Sequence, residues 1–268
     1  MKHVFITLAI MASTWSALLG QTYVDKTVTI GDTIVSLPIP AYYVQLERNM
    51  PIAADFFKEK EHAQFEESKN NTFILAALTP ERFTEVGKTG KLTGSLDCWA
   101  MYGNFSTDRR ITSAEFSELI TGMETAINKA NKGGNYLDQL GFKAENFRDE
   151  DMRKRIKSLE NPQIISKSPR SIVTMAKLNE EYLLHGLCMI NGKLIFLYMQ
   201  KRNPFDGIEE MGAWVKEIET RTPAEYRSAD SNSDSVWQTL AIVLALVLTC
   251  LAAVAAVVFA FKPRKTEG

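Results

Sequence analysis

The stretch that decides the fold reads SIVTMAKL at Ser171–Leu178, YLLHGLCMI at Tyr182–Ile190, Asn191-Gly192, then KLIFLYMQ at Lys193–Gln200. Three apolar, β-rich runs lie close together, and the last two are separated by two residues only. Asn-Gly between apolar runs is the strongest short hairpin signal, because both central residues of the favoured turn adopt positive φ. The spacing predicts a closing antiparallel meander. Alternation along Tyr182–Ile190 puts His185 on one face with Leu183, Leu187 and Met189.

C-terminal to the meander, Ile208, Met211, Trp214, Val215 and Ile218 keep helical spacing from Asp206 to about Thr220. N-terminal to it, the charged stretch Asn146–Leu159 sets Asp149, Glu150 and Asp151 four residues before Arg153, Lys154 and Arg155, as on a solvated helix. Thr112 with Glu115 forms a capping box, and Phe116, Leu119, Ile120, Met123, Ile127 and Ala130 continue a helix until Gly133-Gly134. Strands are expected at Thr72–Leu78 and Leu92–Tyr102, and a helix from Pro51 to about Glu67. Thr27–Ile30 and Thr33–Leu37 flank Gly31-Asp32 as a hairpin, which Pro38 and Pro40 end. The expected fold class is α+β, a mainly antiparallel sheet covered by helices, with one transmembrane helix at the C-terminus.

Two apolar segments bracket this region. Lys2 and His3 precede the apolar run Val4–Leu19, the layout of a secretory signal peptide at 1–20, with an uncleaved N-terminal anchor as the alternative. Val236–Phe261 is an uncharged run of 26 residues, about 39 Å long as a helix and sufficient to span a bilayer. The basic tail at 262–268 then stays cytoplasmic. The expected domains are therefore an extracytoplasmic unit at 21–221, a flexible linker at 222–235, rich in Ser, Asp and Asn, and the span at 236–261. The localisation that follows is a single-pass membrane protein with its N-terminal domain outside the cytoplasm, in a bacterial inner membrane facing the periplasm. Ala241, Ala245, Thr249, Ala252, Ala256 and Ala260 form a small face that would let two spans self-associate or simply belong to an alanine-rich anchor.

The whole chain of 268 residues carries a net charge of −1 and is 45% hydrophobic and 24% charged. Those values exclude collagen-like and wholly disordered classes. Of its 31 basic and 32 acidic residues, Lys2, three tail cations and Glu267 fall outside 21–234. The remaining 27 against 31 give the exported part a charge of about −4, so no nucleic-acid partner is expected.

The ending of the region resembles the PsbP/DcrB-like group of exported domains: a strand, the turn Asn191-Gly192-Lys193, the strand Leu194–Met199, and a helix bearing Trp214. Leu37-Pro38-Ile39-Pro40-Ala41-Tyr42-Tyr43 is similar to the Leu-Pro-x-Pro-x-Gly-Tyr entry segment of uncharacterised bacterial envelope proteins, with Tyr42 in place of the glycine. The resemblance implies a PsbP-like sandwich and a non-enzymatic accessory or assembly role.

Chemistry-bearing residues are few. His62 and His185 are the histidines of the exported region, and no Gly-x-Ser-x-Gly or Ser-x-x-Lys pattern accompanies them. His62 and Glu66 share a helical face with Glu59 and Glu67 nearby, a spacing that charged helices also give without metal. No catalytic, cofactor-binding or metal-ligating residue is assigned, and no cofactor is expected. Cys98 and Cys188 both fall in expected strands; a disulfide would close a loop of roughly 90 residues worth about 4 to 5 kcal/mol, and two buried thiols are the alternative. Cys250 lies in the span. Gly87-Lys88-Thr89-Gly90-Lys91 is a fragment of a phosphate loop without its full spacing. Asn70 and Asn104 fit glycosylation sequons. Tyr42, Tyr43, Trp99 and Tyr102, with Phe105, Tyr198 and Phe205, would line a groove or pack a core. These features favour a membrane-anchored binding or assembly module whose partner is another envelope protein. A small-ligand or lipid-binding domain, or an envelope hydrolase independent of histidine, is the alternative.

Overall fold

A computed structural model describes residues 22–47, 49–54, 56–57, 71–90, 92, 96–103, 105–132 and 159–222. Its centre is a seven-stranded sheet in the order β3-β4-β5-β9-β8-β7-β6. The strands are β3 (Val44–Gln45), β4 (Asn71–Leu78), β5 (Cys98–Gly103), β6 (Leu159–Ser168), β7 (Ser171–Leu178), β8 (Glu181–Ile190) and β9 (Lys193–Lys201). Every neighbouring pair is antiparallel. A separate hairpin joins β1 (Tyr23–Ile30) to β2 (Thr33–Pro40). The helices are α1 (Pro80–Thr89), α2 (Phe105–Asp108), α3 (Ser113–Ala130) and α4 (Pro204–Arg221).

The meander forms where the turn chemistry places it. Ile190 pairs with Lys193 across Asn191 and Gly192, whose φ values are 51° and 77°, as a two-residue primed turn requires. That pairing fixes the register of the whole β8–β9 ladder. β6, at the sheet edge, contains Pro162 and two irregular registers, features that blunt an exposed strand against edge-to-edge pairing.

The pleat gives the sheet two apolar faces, and each has its own core. On the first face Trp99, Leu183, Leu187, Phe196 and Tyr198 share a core with Phe116, Leu119, Ile120 and Met123 of α3. α3 starts as its sequence dictates: the Thr112 side chain accepts from the Glu115 backbone N–H while the Glu115 carboxylate accepts from the Thr112 N–H. On the second face Val173, Leu184, Leu197 and Met199 meet Ile30, Val35, Leu37 and Ile39 of the hairpin, and Met211, Trp214, Val215 and Ile218 of α4. Trp214 Nε1 donates to the Pro38 carbonyl at 2.5 Å, tying helix to hairpin. α4 lies close upon β8 because Gly207 faces Leu184, where an added Cβ would come within 2.5 Å of Leu184 Cδ1.

The α+β sandwich expected from the pattern is corrected. The described chain is mostly β, with a seven-stranded and a two-stranded sheet against four helices, and none of those helices is long and apolar enough to cross a membrane. The difference has physical sources. The second face is covered in part by the β1–β2 hairpin, so strands supply a layer that helices were expected to supply. The hairpin also does not stop at Leu37: Pro38 and Pro40 sit within β2 opposite Asp25 and Tyr23, an edge position where a missing N–H is tolerated. Likewise β6 begins at Leu159 and runs through Pro162, where the pattern suggested a helix end and a break. Strand β5 is shorter than expected, and α1 intervenes between β4 and β5. Thr79 caps α1 through its side chain, Pro80 opens it and Gly90 closes it in the left-handed conformation. The signal peptide, the helix expected at 146–158, most of the linker, the span at 236–261 and the tail lie outside the described residues.

Candidate functional site

The aromatic residues that sequence grouped together are distributed over both faces. Tyr42 is 52% exposed, and its hydroxyl donates to Glu81 at 3.3 Å. Tyr43 is buried in the second core, and its hydroxyl donates to Glu210 at 2.7 Å. Glu210 in turn pairs with Lys201 at 2.7 Å, whose Nζ stands 5.3 Å from the Tyr43 ring centroid. Burial, with the Glu210 carboxylate adding to it, pushes the Tyr43 hydroxyl far above the usual phenol range. Tyr102 packs against the second core, while Trp99 is fully buried in the first. The four therefore line no single groove.

The two cysteines are free thiols, and the disulfide that sequence allowed is not formed. Cys98 on β5 pairs with Met199 of β9, and Cys188 on β8 pairs with Ile195 of the same strand. Two strand spacings of about 4.8 Å each, with a four-residue offset along β9, exceed the roughly 7 Å Cα limit for a bridge. Burial pushes both thiols up, away from thiolate. His62 and Glu66 lie outside the described residues. Among the described residues no group of three or more His, Cys, Asp or Glu could hold a metal ion. Gly87, Lys88 and Thr89 belong to α1, with Gly90 as its cap, so that part of the phosphate-loop fragment is a helix end.

The register brings together a row that sequence reasoning left apart. His185 of β8 is opposite Tyr198 of β9, and Tyr198 is opposite Trp99 of β5. Their rings stand on the first face and stack, Trp99 on Tyr198 at 4.9 Å between centroids and His185 on Tyr198 at 4.9 Å, with interplanar angles of 11° and 20°. The centroid spacing is the strand spacing itself. Trp99 Nε1 and His185 Nε2 are shielded from solvent without a hydrogen-bond partner, as is Oε1 of Gln200, two residues along β9 from Tyr198. The amide nitrogen of Gln200 donates to Glu181 Oε2, which turns Oε1 away from that carboxylate. Desolvation lowers the His185 pKa to about 4, leaving the ring neutral at pH 7. The signal for this row was present in the Asn191-Gly192 turn, which alone fixes His185 opposite Tyr198.

A second feature lies on the outer side of α4. A groove of about 630 Å³ runs between the helix and Tyr23 of β1, lined by Asp206, Glu209, Glu210, Lys216 and Glu217 among others. Glu210 is engaged by Lys201, and Glu217 by Arg221 at 2.6 Å. Among the described residues Asp206 and Glu209 have no ion-pair partner. Burial and the neighbouring Glu217 push the Tyr23 hydroxyl up to about 12, so it stays a hydrogen-bond donor. Sequence reading missed this groove, since the carboxylates of α4 look like an ordinary solvated helix face until β1 is laid beside them.

Comparison of the chain with protein families, with curated proteins and with solved structures finds no match.

Proposed function

We propose that the chain is an extracytoplasmic binding module held at a membrane, and that it acts by engaging another protein of the cell envelope rather than by catalysis. The observation that carries the reading is the groove on α4, whose volume of about 630 Å³ lies in the usual range for ligand-accepting clefts. Its two carboxylates without ion partners, Asp206 and Glu209, suit a short Lys- or Arg-bearing segment of a partner. The Tyr23 ring supplies an apolar wall with a hydroxyl at its end. The reactive groups support binding over chemistry: both described thiols are held protonated and His185 is held neutral by burial. Placement at a membrane rests on the apolar run Val4–Leu19 and the uncharged run Val236–Phe261.

The test uses the full chain in nanodiscs and a short fluorescent Lys/Arg peptide, with its Glu/Asp counterpart as control. Each exposed ion pair contributes about 0.2 to 1 kcal/mol, so the double variant Asp206→Asn, Glu209→Gln should weaken binding roughly 2- to 30-fold. The affinity of the parent protein should also fall as salt rises. Equal binding of the acidic peptide, or no change in the variant, refutes the reading.

A further inference from the structure

Helix α4 carries a row of exposed residues that matches itself when turned end for end. Met211, Trp214, Val215 and Ile218 are buried against the sheet and the hairpin. At about 3.6 residues per turn, Phe205, Glu209, Gly212, Ala213, Lys216 and Thr220 come out on the opposite side of the helix. Phe205 is 78% exposed, the most of any large apolar side chain among the described residues. Glu209 and Lys216 are both exposed and have no ion-pair partner among the described residues. They do not serve each other, because two helical turns set them roughly 10 Å apart. Between them Gly212 and Ala213 keep the crest low, and a Cβ placed on Gly212 would meet nothing within 4 Å.

From this arrangement we infer that the crest of α4 docks on the same crest of a second copy of the chain, the two helices antiparallel about a two-fold axis between Gly212 and Ala213. A contact of this symmetry needs a patch complementary to itself, and the order of the row supplies one. The rotation that sets Gly212 opposite Ala213 of the second copy also sets Glu209 opposite its Lys216 and Lys216 opposite its Glu209, so two ion pairs form at once. It brings Phe205 against Thr220 of the second copy, in the groove of about 630 Å³ that Tyr23, Glu217 and Thr220 help to line. Small residues at the crossing let the helix axes approach to about 8 Å, the near end of the usual packing range. A parallel alignment would oppose Glu209 to Glu209 and Lys216 to Lys216, and such like-charge contacts are unfavourable. The inference rests on the reading of this face as a dock for a Lys-bearing segment, and it names the segment as the same helix in another copy.

The test uses the full chain in detergent micelles, with Cys250→Ser to remove the thiol of the apolar run; Cys98 and Cys188 are buried. Ala213→Cys in that background places two thiols at the axis with Cα atoms roughly 6 Å apart, a separation that a disulfide accepts. Copper–phenanthroline oxidation should convert it to a covalent dimer on non-reducing gels. Thr220→Cys should not cross-link, because the two copies of position 220 lie roughly 22 Å apart at about 1.5 Å per residue. Lys216→Glu replaces both ion pairs by like-charge contacts. With Ala213→Cys as reporter over a dilution series, it should weaken dimerisation at least about 2- to 30-fold, the loss expected of two exposed ion pairs. Adding Glu209→Lys exchanges the signs and should restore the yield, a rescue that no folding defect produces, since the two positions do not touch within one copy. The inference is overturned if position 213 gives no cross-link, if 213 and 220 cross-link equally, or if the charge-swapped double variant is no better than Lys216→Glu. A chain that stays monomeric yet binds the Lys/Arg peptide overturns it while leaving the docking reading intact; a chain that does neither overturns both.

Discussion

Replacing Gly31 by alanine tests how the β1–β2 hairpin is locked to the body of the protein. Gly31 is the first residue of the hairpin turn, with φ of 60°, and an added Cβ would fall 1.8 Å from the backbone oxygen of Thr107. Two separate costs follow. A left-handed backbone disfavours any residue with a Cβ by about 1 to 2 kcal/mol. The collision is with a backbone carbonyl, not a flexible side-chain end, and that carbonyl also accepts from Lys193 Nζ at 3.2 Å. Moving it disturbs a buried lysine that is 1% exposed and also bonded to the Arg109 carbonyl. Overpacking of this kind adds about 1 to 3 kcal/mol, for a total of roughly 2 to 5 kcal/mol. Gly90 provides the control, because its φ is 68° and an added Cβ there meets nothing within 4 Å. Gly90→Ala should therefore cost only the backbone part, about 1 to 2 kcal/mol. Urea unfolding of both variants, followed by tryptophan fluorescence at unchanged slope, measures the difference. If Gly31→Ala is no more destabilising than Gly90→Ala, the contact between the hairpin turn and residue 107 does not hold the hairpin, and the argument fails.

Stability should also depend on pH through His185. Its folded pKa of about 4 lies below the ordinary 6.5, so the unfolded chain takes up a proton first as pH falls. The contribution is complete above pH 6.5 and is lost between about 6.5 and 4, by as much as roughly 3 kcal/mol; His185→Gln should flatten the unfolding free energy over that window, and an unchanged slope would refute it. Maleimide labelling read by peptide mass spectrometry should leave Cys98 and Cys188 unmodified in the native protein and modify both in denaturant without reductant. Blocked thiols after denaturation would mean a bridge that the strand register forbids.

What sequence showed best was local. The Asn191-Gly192 turn, the Thr112–Glu115 capping box and the apolar spacing of Met211, Trp214, Val215 and Ile218 each depend on neighbours a few residues apart, and each stands where the pattern put it. What it missed depends on distant partners. Pro38 and Pro40 read as a strand end, yet they lie on a hairpin edge where no ladder bond is asked of them, and Trp214 comes from 176 residues away to use the Pro38 carbonyl. α1 was legible in Thr79-Pro80 and Gly90, but reading Gly87 to Gly90 as part of a phosphate-loop fragment hid the end of that helix. The aromatic residues were recognised by type and could not be sorted by face. That sorting needs the β5–β9 pairing, which joins residues about a hundred positions apart and has no local signature. The balance of strand over helix was misjudged for the same reason, since a hairpin can cover a sheet as well as a helix does and only packing distinguishes them.

The two faces of the sheet differ in how fully their polar groups are satisfied, and that difference bears on what a substitution costs on each. On the second face Trp214 Nε1 is bonded to Pro38, and Tyr43 is bonded to Glu210. At the end of that face Arg170 reaches the Glu219 and Thr222 carbonyls at 2.9 and 2.8 Å, while Ser171 donates to Glu219 at 2.7 Å, closing the last turn of α4. A chain that satisfies its buried groups so consistently on one face has no difficulty building such contacts. Leaving Trp99, His185 and Gln200 unpartnered on the other face costs about 1 to 3 kcal/mol for each shielded group, a large share of a stability of roughly 5 to 15 kcal/mol. Phenylalanine at position 99 and leucine at 185 would avoid that cost, the first at the expense of some buried ring volume. The same reasoning predicts that Trp99→Phe, which trims a buried ring but removes an unpartnered donor, costs less than Trp214→Phe, which trims the ring and also strands the Pro38 carbonyl, adding about 1 to 3 kcal/mol. Urea unfolding of the two variants reads the difference; equal losses at both positions would remove the distinction.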